Sequence, residues 1–155
     1  MKRLALLVCA FTYTLVFSIN SFASELEISK HHIRATPPHA QTSAAFFTVT
    51  NNTDKNIKLV AVNSDIAEQV QIHTNLNEDG LMKMRQVDAI MIEANSSTSF
   101  QPGGYHVMFL GLKNDLIEGQ NIVLTLYFDN GDEIEVDTPV QKNSRSHNMS
   151  GTKHH

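Results

Sequence analysis

Short apolar segments recur along the chain about every 10 residues, and within them apolar and polar positions alternate. In residues 69–74, for example, Val70 and Ile72 alternate with polar side chains, as in a strand that buries one face. No segment keeps the 3.6-residue period of an amphipathic helix. The pattern therefore predicts ten strands, at residues 26–34, 44–50, 57–62, 69–74, 81–87, 89–93, 97–101, 105–110, 121–129 and 132–140.

Turn signals separate these segments. Residues 78–80 (Glu-Asp-Gly) and the pair Asn130-Gly131 predict hairpins between the strands on either side. Pro102-Gly103 suits the two central positions of a type II turn. We therefore expect the chain to reverse direction after most of its strands.

The spacing of strands and turns is typical of an all-β sandwich or barrel that forms a single domain. The 155 residues suffice for one such domain and leave little room for a second. Phe46, Phe47 and Met91 are expected in its hydrophobic core.

The first 23 residues have the layout of a secretory signal peptide. Two basic residues precede an apolar run over residues 4–19, and Ser21 and Ala23 are small residues at the positions that signal peptidase reads. The run is shorter than the roughly 20 residues that a membrane-spanning helix needs. We therefore expect cleavage after Ala23 and no integral membrane segment in the exported protein.

A folded domain over residues 24–140 and a polar, flexible tail over residues 141–155 are predicted after the signal peptide. The chain has 12 basic and 16 acidic side chains, for a formal net charge of −4, and no block of basic residues. This charge pattern argues against nucleic acid as a partner.

The single cysteine, Cys9, lies in the predicted signal peptide. The bulky Val8 precedes it, where a lipoprotein signal has a small residue, so lipid attachment at Cys9 is not favoured. The exported protein would then have no disulfide and no thiolate. By contrast, the sequence holds 8 histidines and 6 methionines, which are candidate metal ligands.

The candidate ligands fall on neighbouring predicted strands. His106 and Met108 are two residues apart on one strand, so both side chains lie on the same face. Met82 and Met84 are related in the same way, and the hairpin at 78–80 pairs their strand with the strand of His73. Two imidazoles and one or two thioethers could therefore converge at one end of the domain.

Imidazole and thioether together suit few metals. The soft, uncharged thioether favours Cu(I) and is a poor ligand for zinc, calcium or magnesium. A blue-copper electron-transfer site would need a cysteine thiolate, which the predicted exported chain lacks. Histidine must be deprotonated to bind a metal, so affinity is expected to fall below about pH 6.5.

The spacing of these residues resembles that of a known family. His73, Met84 and the pair His106 and Met108 follow the pattern H-x10-M-x21-H-x-M of the PCu(A)C periplasmic copper chaperones. The resemblance covers about residues 26–140. Further matching stretches are Arg-Ala-Thr-Pro-Pro at 34–38, residues 80–85, residues 102–108 and residues 111–113.

The resemblance implies a cupredoxin-like Greek-key β-sandwich or barrel that binds Cu(I) in the periplasm and is not an enzyme. It implies delivery of copper to an oxidase subunit or a Sco-type assembly protein, for cytochrome c oxidase assembly. We expect a monomer. The implied ligands are His73, Met84, His106 and Met108.

Two further sets of residues could contribute to copper binding. Met82 is expected either to pack or to offer a second sulfur beside the ligands. Family members often carry a histidine- and methionine-containing tail that can bind a second copper, including Cu(II). The corresponding residues here are His147, Met149, His154 and His155.

Two other functions remain open on the sequence alone, and a third is closed unless the signal peptide is cleaved elsewhere. A copper buffer for tolerance or storage would use the same ligands as a delivery protein. A copper oxygenase with an N-terminal histidine brace would need His as the first exported residue, whereas Ser24 is predicted there. A β-domain that binds partners without any metal would take up no copper.

Overall fold

Each of the ten segments with alternating apolar residues forms a strand in the computed structural model, which describes residues 25–78 and 80–142. No helix occurs in these residues, as the periodicity predicted. The predicted signal peptide and nearly all of the predicted tail lie outside them. The strands are β1 (Leu26–Arg34), β2 (Thr42–Asn51), β3 (Ile57–Asn63), β4 (Ala67–Glu78), β5 (Leu81–Gln86), β6 (Ile90–Ile92), β7 (Ser96–Phe100), β8 (His106–Leu112), β9 (Asn121–Phe128) and β10 (Glu133–Gln141).

The strands pair in the order β5–β4–β8–β2–β1–β10–β9–β3–β6, and β7 pairs with the second half of β2. The pair β1 and β10 is parallel, and the other pairs of the described strands are antiparallel. Strand β8 therefore lies between β4 and β2, although it is far from both along the chain. This crossover brings the strands with the candidate ligands together.

Both halves of the sheet contribute to one hydrophobic core. Apolar side chains that alternate along the strands lie on its inner face, including Val49 of β2, Phe109 of β8 and Leu124 of β9. A single shared core confirms the predicted all-β, single-domain fold.

Two of the expected core residues lie elsewhere. Met91 is 50% exposed, because Ile90 and Ile92 on either side of it occupy the inner face of β6. Phe46 is only 3% exposed but lies on the outer face of β2, whereas its neighbour Phe47 is in the core and stacks on Phe100. The prediction for Met91 was therefore wrong, whereas Phe46 is buried as predicted but lies outside the main core cluster.

A β-bulge in β1 has consequences for the outer face. Ser29 pairs with Thr48 and His32 pairs with Phe46, so β1 has one more residue than β2 over this stretch. The extra residue lets both Ile28 and Ile33 pack towards the core, although they are five positions apart. Arg34 consequently lies on the same outer face as Phe46.

The turns follow the predictions. Gly103 has a φ of +86°, and the N–H of Gly104 donates to the carbonyl of Gln101 at 3.0 Å, as a type II turn requires. The hairpin between β4 and β5 pairs Glu78 with Leu81. The turn at Gly103 directly precedes β8 and helps to position its first residue, His106.

A buried asparagine holds the end of β2 against β6. The Nδ2 atom of Asn51 donates to the carbonyls of Lys55, Ile92 and Glu93 at 2.7–3.2 Å, and its Oδ1 accepts from the N–H and hydroxyl of Thr53. The side chain is fully buried. Several main-chain groups therefore bond to this side chain in place of water.

Replacing Asn51 with Ala should lower the free energy of unfolding by about 3 kcal/mol, because buried carbonyls lose their donor. Urea unfolding followed by circular dichroism measures the change. Asn56→Ala is a suitable control, since Asn56 is exposed and accepts one bond from the N–H of Ala94. If Asn51→Ala lowers the free energy of unfolding no more than Asn56→Ala does, the stabilising role of Asn51 is contradicted.

Candidate metal centre

The register of β4 and β8 brings two histidines together. His73 and His106 are directly opposite each other on the paired strands. Their ring centroids are 5.8 Å apart, and the ring planes are tilted by 45°. Residues that are opposite each other in a sheet lie on the same face, so both imidazoles are on the outer face.

The two methionines of the predicted set lie on the same face. Met108 is opposite Gln71 of β4, and Met84 is opposite Asn75 of β4. Gln71 and Asn75 flank His73 at two-residue intervals, so their cross-strand partners share its face. The structure therefore brings His73, Met84, His106 and Met108 to one region of the sheet.

A cleft of about 210 Å³ opens beside the histidine pair. Three of the four predicted ligands line it, and His73 lies next to it in ring contact with His106. The turn at Pro102 and Gly103 and residues of β1 and β2 form the other walls. The lining residues are Arg34, Thr42, Ser43, Ala44, Phe46, Asn75, Met84, Pro102, Gly103, His106 and Met108.

Hydrogen bonding leaves one ring nitrogen of His106 available. Its Nδ1 donates to the carbonyl of Gly104 at 3.0 Å. Because a carbonyl only accepts, Nδ1 carries the proton and Nε2 keeps its lone pair. The side chain is 5% exposed, so burial and this hydrogen bond restrict its orientation.

His73 also keeps a lone pair. Its Nε2 donates to the Oε1 of Gln71 at 2.8 Å, which leaves Nδ1 unprotonated. Nδ1 is buried and has no hydrogen-bond partner among the described residues. Burial, and secondarily the nearby positive charge that His106 can carry, lower the pKa of His73 below its ordinary 6.5. An unpartnered, deprotonated nitrogen is what a metal ligand requires.

The methionines make one side of the site accessible. Met84 is 49% exposed on β5, the strand at the edge of the sheet. Met82 is on the same face of β5 but is 62% exposed, and it does not line the cleft. Its position does not fit a packing role and leaves it open as a second sulfur near Met84.

His32 and His39 are not among the residues that line the cleft. His32 packs on the ring of Phe46 at 5.3 Å, and His39 is exposed, with its N–H bonded to Asp115. Among the described residues, no group of three His, Cys, Asp or Glu side chains could hold a metal. The tail residues His147, Met149, His154 and His155 lie outside the described part of the chain.

One cleft residue was missed by the sequence analysis. Arg34 was noted only as the first residue of a matching stretch, yet it lines the cleft with Met84, His106 and Met108. The bulge in β1 determines which face Arg34 occupies, and simple two-residue alternation gave no sign of it.

Comparison with known proteins identifies the family. Residues 26–140 match the family model described as "Putative lipoprotein LpqE-like", so the chain belongs to the LpqE-like family. The uncharacterized protein RP573 of Rickettsia prowazekii (strain Madrid E) is 34% identical over 110 residues, which are 70% of this chain and 60% of that protein. A protein of Leifsonia xyli subsp. xyli, named as the lipoprotein Lxx21020, is 32% identical over 120 residues, which are 77% of this chain and 71% of its own length.

Solved structures with the same fold are PCuAC domains. The copper-bound PCuAC domain of PmoF2 has a TM-score of 0.65 at 24% identity, covering 76% of this chain and 93% of that domain. The Cu(I) form of DR1885 from Deinococcus radiodurans has a TM-score of 0.64 at 31% identity, covering 80% of this chain and 85% of that one. These matches confirm the resemblance to the PCu(A)C family. In residues 25–78 and 80–142, no helix has the length and apolar character needed to cross a membrane.

The imidazole of His73 should titrate below pH 6.5 in the metal-free protein, because burial and His106 both disfavour its charged form. Replacing His106 with Asn removes the second cause and should raise the pKa of His73. NMR titration of the histidine ring protons measures both values. Protons should therefore compete with a metal at His73 only at a lower pH than at an ordinary histidine.

The lowered pKa of His73 also makes the stability of the fold depend on pH. A histidine whose pKa is lower when folded takes up its proton more readily in the unfolded chain, so stability from this group decreases as pH falls below 6.5. A His73 midpoint at or above 6.5 would contradict the assigned environment.

Proposed function

We propose that this protein is a metallochaperone that binds Cu(I) in the periplasm and is not an enzyme. The observation that carries the proposal is the pair of opposed imidazoles, each with an available lone pair, beside two thioethers on one sheet face. The proposed ligands are His73, Met84, His106 and Met108.

The donor set favours the reduced ion. All four side chains are uncharged when they bind, and no Asp or Glu is among the residues that line the cleft. Thioether sulfur is a soft donor that suits Cu(I), and no anionic ligand is present to stabilise a higher charge on copper. The solved Cu(I) structure of DR1885 supports the proposal, since that protein shares the fold at 31% identity.

The arrangement suits transfer of the ion. Met84 is half exposed on an edge strand, whereas His106 is buried and bonded to Gly104. An incoming ligand from a partner could replace the sulfur of Met84 first and the imidazole of His106 last. Met82 offers a further sulfur at the open side.

The proposed acceptor is an oxidase subunit or a Sco-type assembly protein, in the service of cytochrome c oxidase assembly, and the proposed chaperone acts as a monomer. These assignments rest on the family resemblance. A second copper at His147, Met149, His154 and His155, including Cu(II), is part of the same proposal. Buffering of copper for tolerance is the alternative, because it would use the same ligands.

Cu(I) titration of the exported protein against a colorimetric chelator under reducing conditions tests the site. One tight equivalent is expected. Met84→Leu and His106→Ala should each weaken it by roughly 10-fold to 100-fold or more, the range seen even for groups that only support a ligand. Met91→Leu is the matched control, because Met91 is equally exposed but lies outside the cleft.

Circular dichroism must show that each variant retains the β fold. If both ligand variants bind Cu(I) as tightly as the Met91 variant, the ligand assignment is wrong. If the unmodified protein does not compete with the chelator at all, the β-domain has another purpose.

A growth experiment separates delivery from buffering. If the protein delivers copper, a strain without it should lose oxidase activity when copper is limiting, and added copper should restore that activity. Complementation with the Met84→Leu chain should fail, and with Met91→Leu it should succeed. Normal oxidase activity together with increased copper sensitivity would favour buffering instead.

A further inference from the structure

Arg34 faces the candidate ligands across the cleft. It is the last residue of β1, and it lines the cleft together with Met84, His106 and Met108. Its guanidinium carbon lies 5.3 Å from the centroid of the Phe46 ring, so the cation packs on the aromatic face. The buried Phe46 and the bulge in β1 hold Arg34 on this wall.

Among the described residues, no carboxylate in the cleft balances the charge of Arg34. The lining residues of the cleft include no Asp or Glu. Within residues 25–78 and 80–142, no carboxylate forms an ion pair with Arg34, and its Nε is buried without a hydrogen-bond partner. A guanidinium stays protonated at any pH at which the protein is folded. The cleft therefore contains one permanent positive charge.

A fixed positive charge acts differently on the two oxidation states of copper. Coulomb repulsion scales with the charge of the ion, so a divalent cation at the ligands is repelled twice as strongly as a monovalent one. The ligands are neutral and provide no offsetting anion. The repulsion acts across a partly buried cleft, where solvent and salt screen it less than at an open surface.

We infer that Arg34 is a specificity-determining residue that selects Cu(I) over Cu(II) and other divalent cations by charge, without binding the metal itself. This inference rests on the proposed function of the site. The soft ligands are one cause of selectivity for Cu(I). The charge of Arg34, which lies on a different strand from the ligands, is a second and electrostatic cause.

The competing explanation is that Arg34 only covers Phe46. Arg34→Gln removes the charge, and Arg34→Lys keeps it while losing the planar guanidinium group. Lys113→Gln is the matched control, because it makes the same change in net charge at a residue outside the cleft, whose Nζ donates to the carbonyl of Asp65. Thr42→Lys adds a second positive charge at an exposed position of the cleft without touching Phe46.

The experiment measures dissociation constants for Cu(I) and for Cu(II) by chelator competition, with the full exported chain. All proteins carry Asn in place of His147, His154 and His155, so that the tail does not bind Cu(II). Arg34→Gln should reduce the preference for Cu(I) over Cu(II) by roughly 10-fold, which for a one-electron couple corresponds to about 59 mV. Arg34→Lys and Lys113→Gln should keep the preference within about 3-fold, and Thr42→Lys should increase it.

If Arg34→Gln and Thr42→Lys both leave the preference for Cu(I) over Cu(II) unchanged, the inference is overturned. This holds even if Arg34→Gln lowers the melting temperature. If Arg34→Gln does not fold, the Thr42→Lys result decides alone. Failure of the parent protein to bind Cu(I) would instead refute the proposed function, and with it this inference.

Discussion

The antiparallel register between β4 and β8 is the constraint on which the candidate site depends. It places His73 directly opposite His106, and the neighbouring pairs place Met108 and Met84 on the same face. A slip of one residue would turn the ligands of one strand towards the core. Ile72 and Val107, which are buried between the ligands, oppose such a slip, so core packing and ligand geometry are determined together.

The site combines soft donors with positive charge, although the protein as a whole is acidic. Each imidazole is oriented by a hydrogen bond to a neighbouring acceptor, which determines the ring nitrogen that carries a lone pair. Of the two thioethers, Met108 is half-buried on an interior strand, whereas Met84 is half exposed on the edge strand β5. Hydrogen-bonded imidazoles beside an exposed thioether are an arrangement that suits the proposed transfer of an ion.

Much of the fold could be predicted because alternation along a strand reflects burial directly, and all ten strands occur where the pattern placed them. The shared face of His106 and Met108 followed from the same rule. Arg34 could not be placed in this way, because a bulge gives β1 one more residue than β2. Phe46 follows the alternation of β2 but is buried on the outer face, where alternation alone predicts exposure. Met91 was misplaced because residue type was given more weight than the alternation of Ile90 and Ile92 around it.

The bulge in β1 also means that the length of this strand can change by one residue without disturbing the cleft. Loss of a single residue between Ser29 and His32 would restore regular pairing with β2. Ile28 and Ile33 would then be four positions apart, so both would still face the core and Arg34 would stay on the outer face beside the cleft. A relative that is one residue shorter at this point could therefore keep both the core contacts of β1 and the arginine on the wall of the cleft.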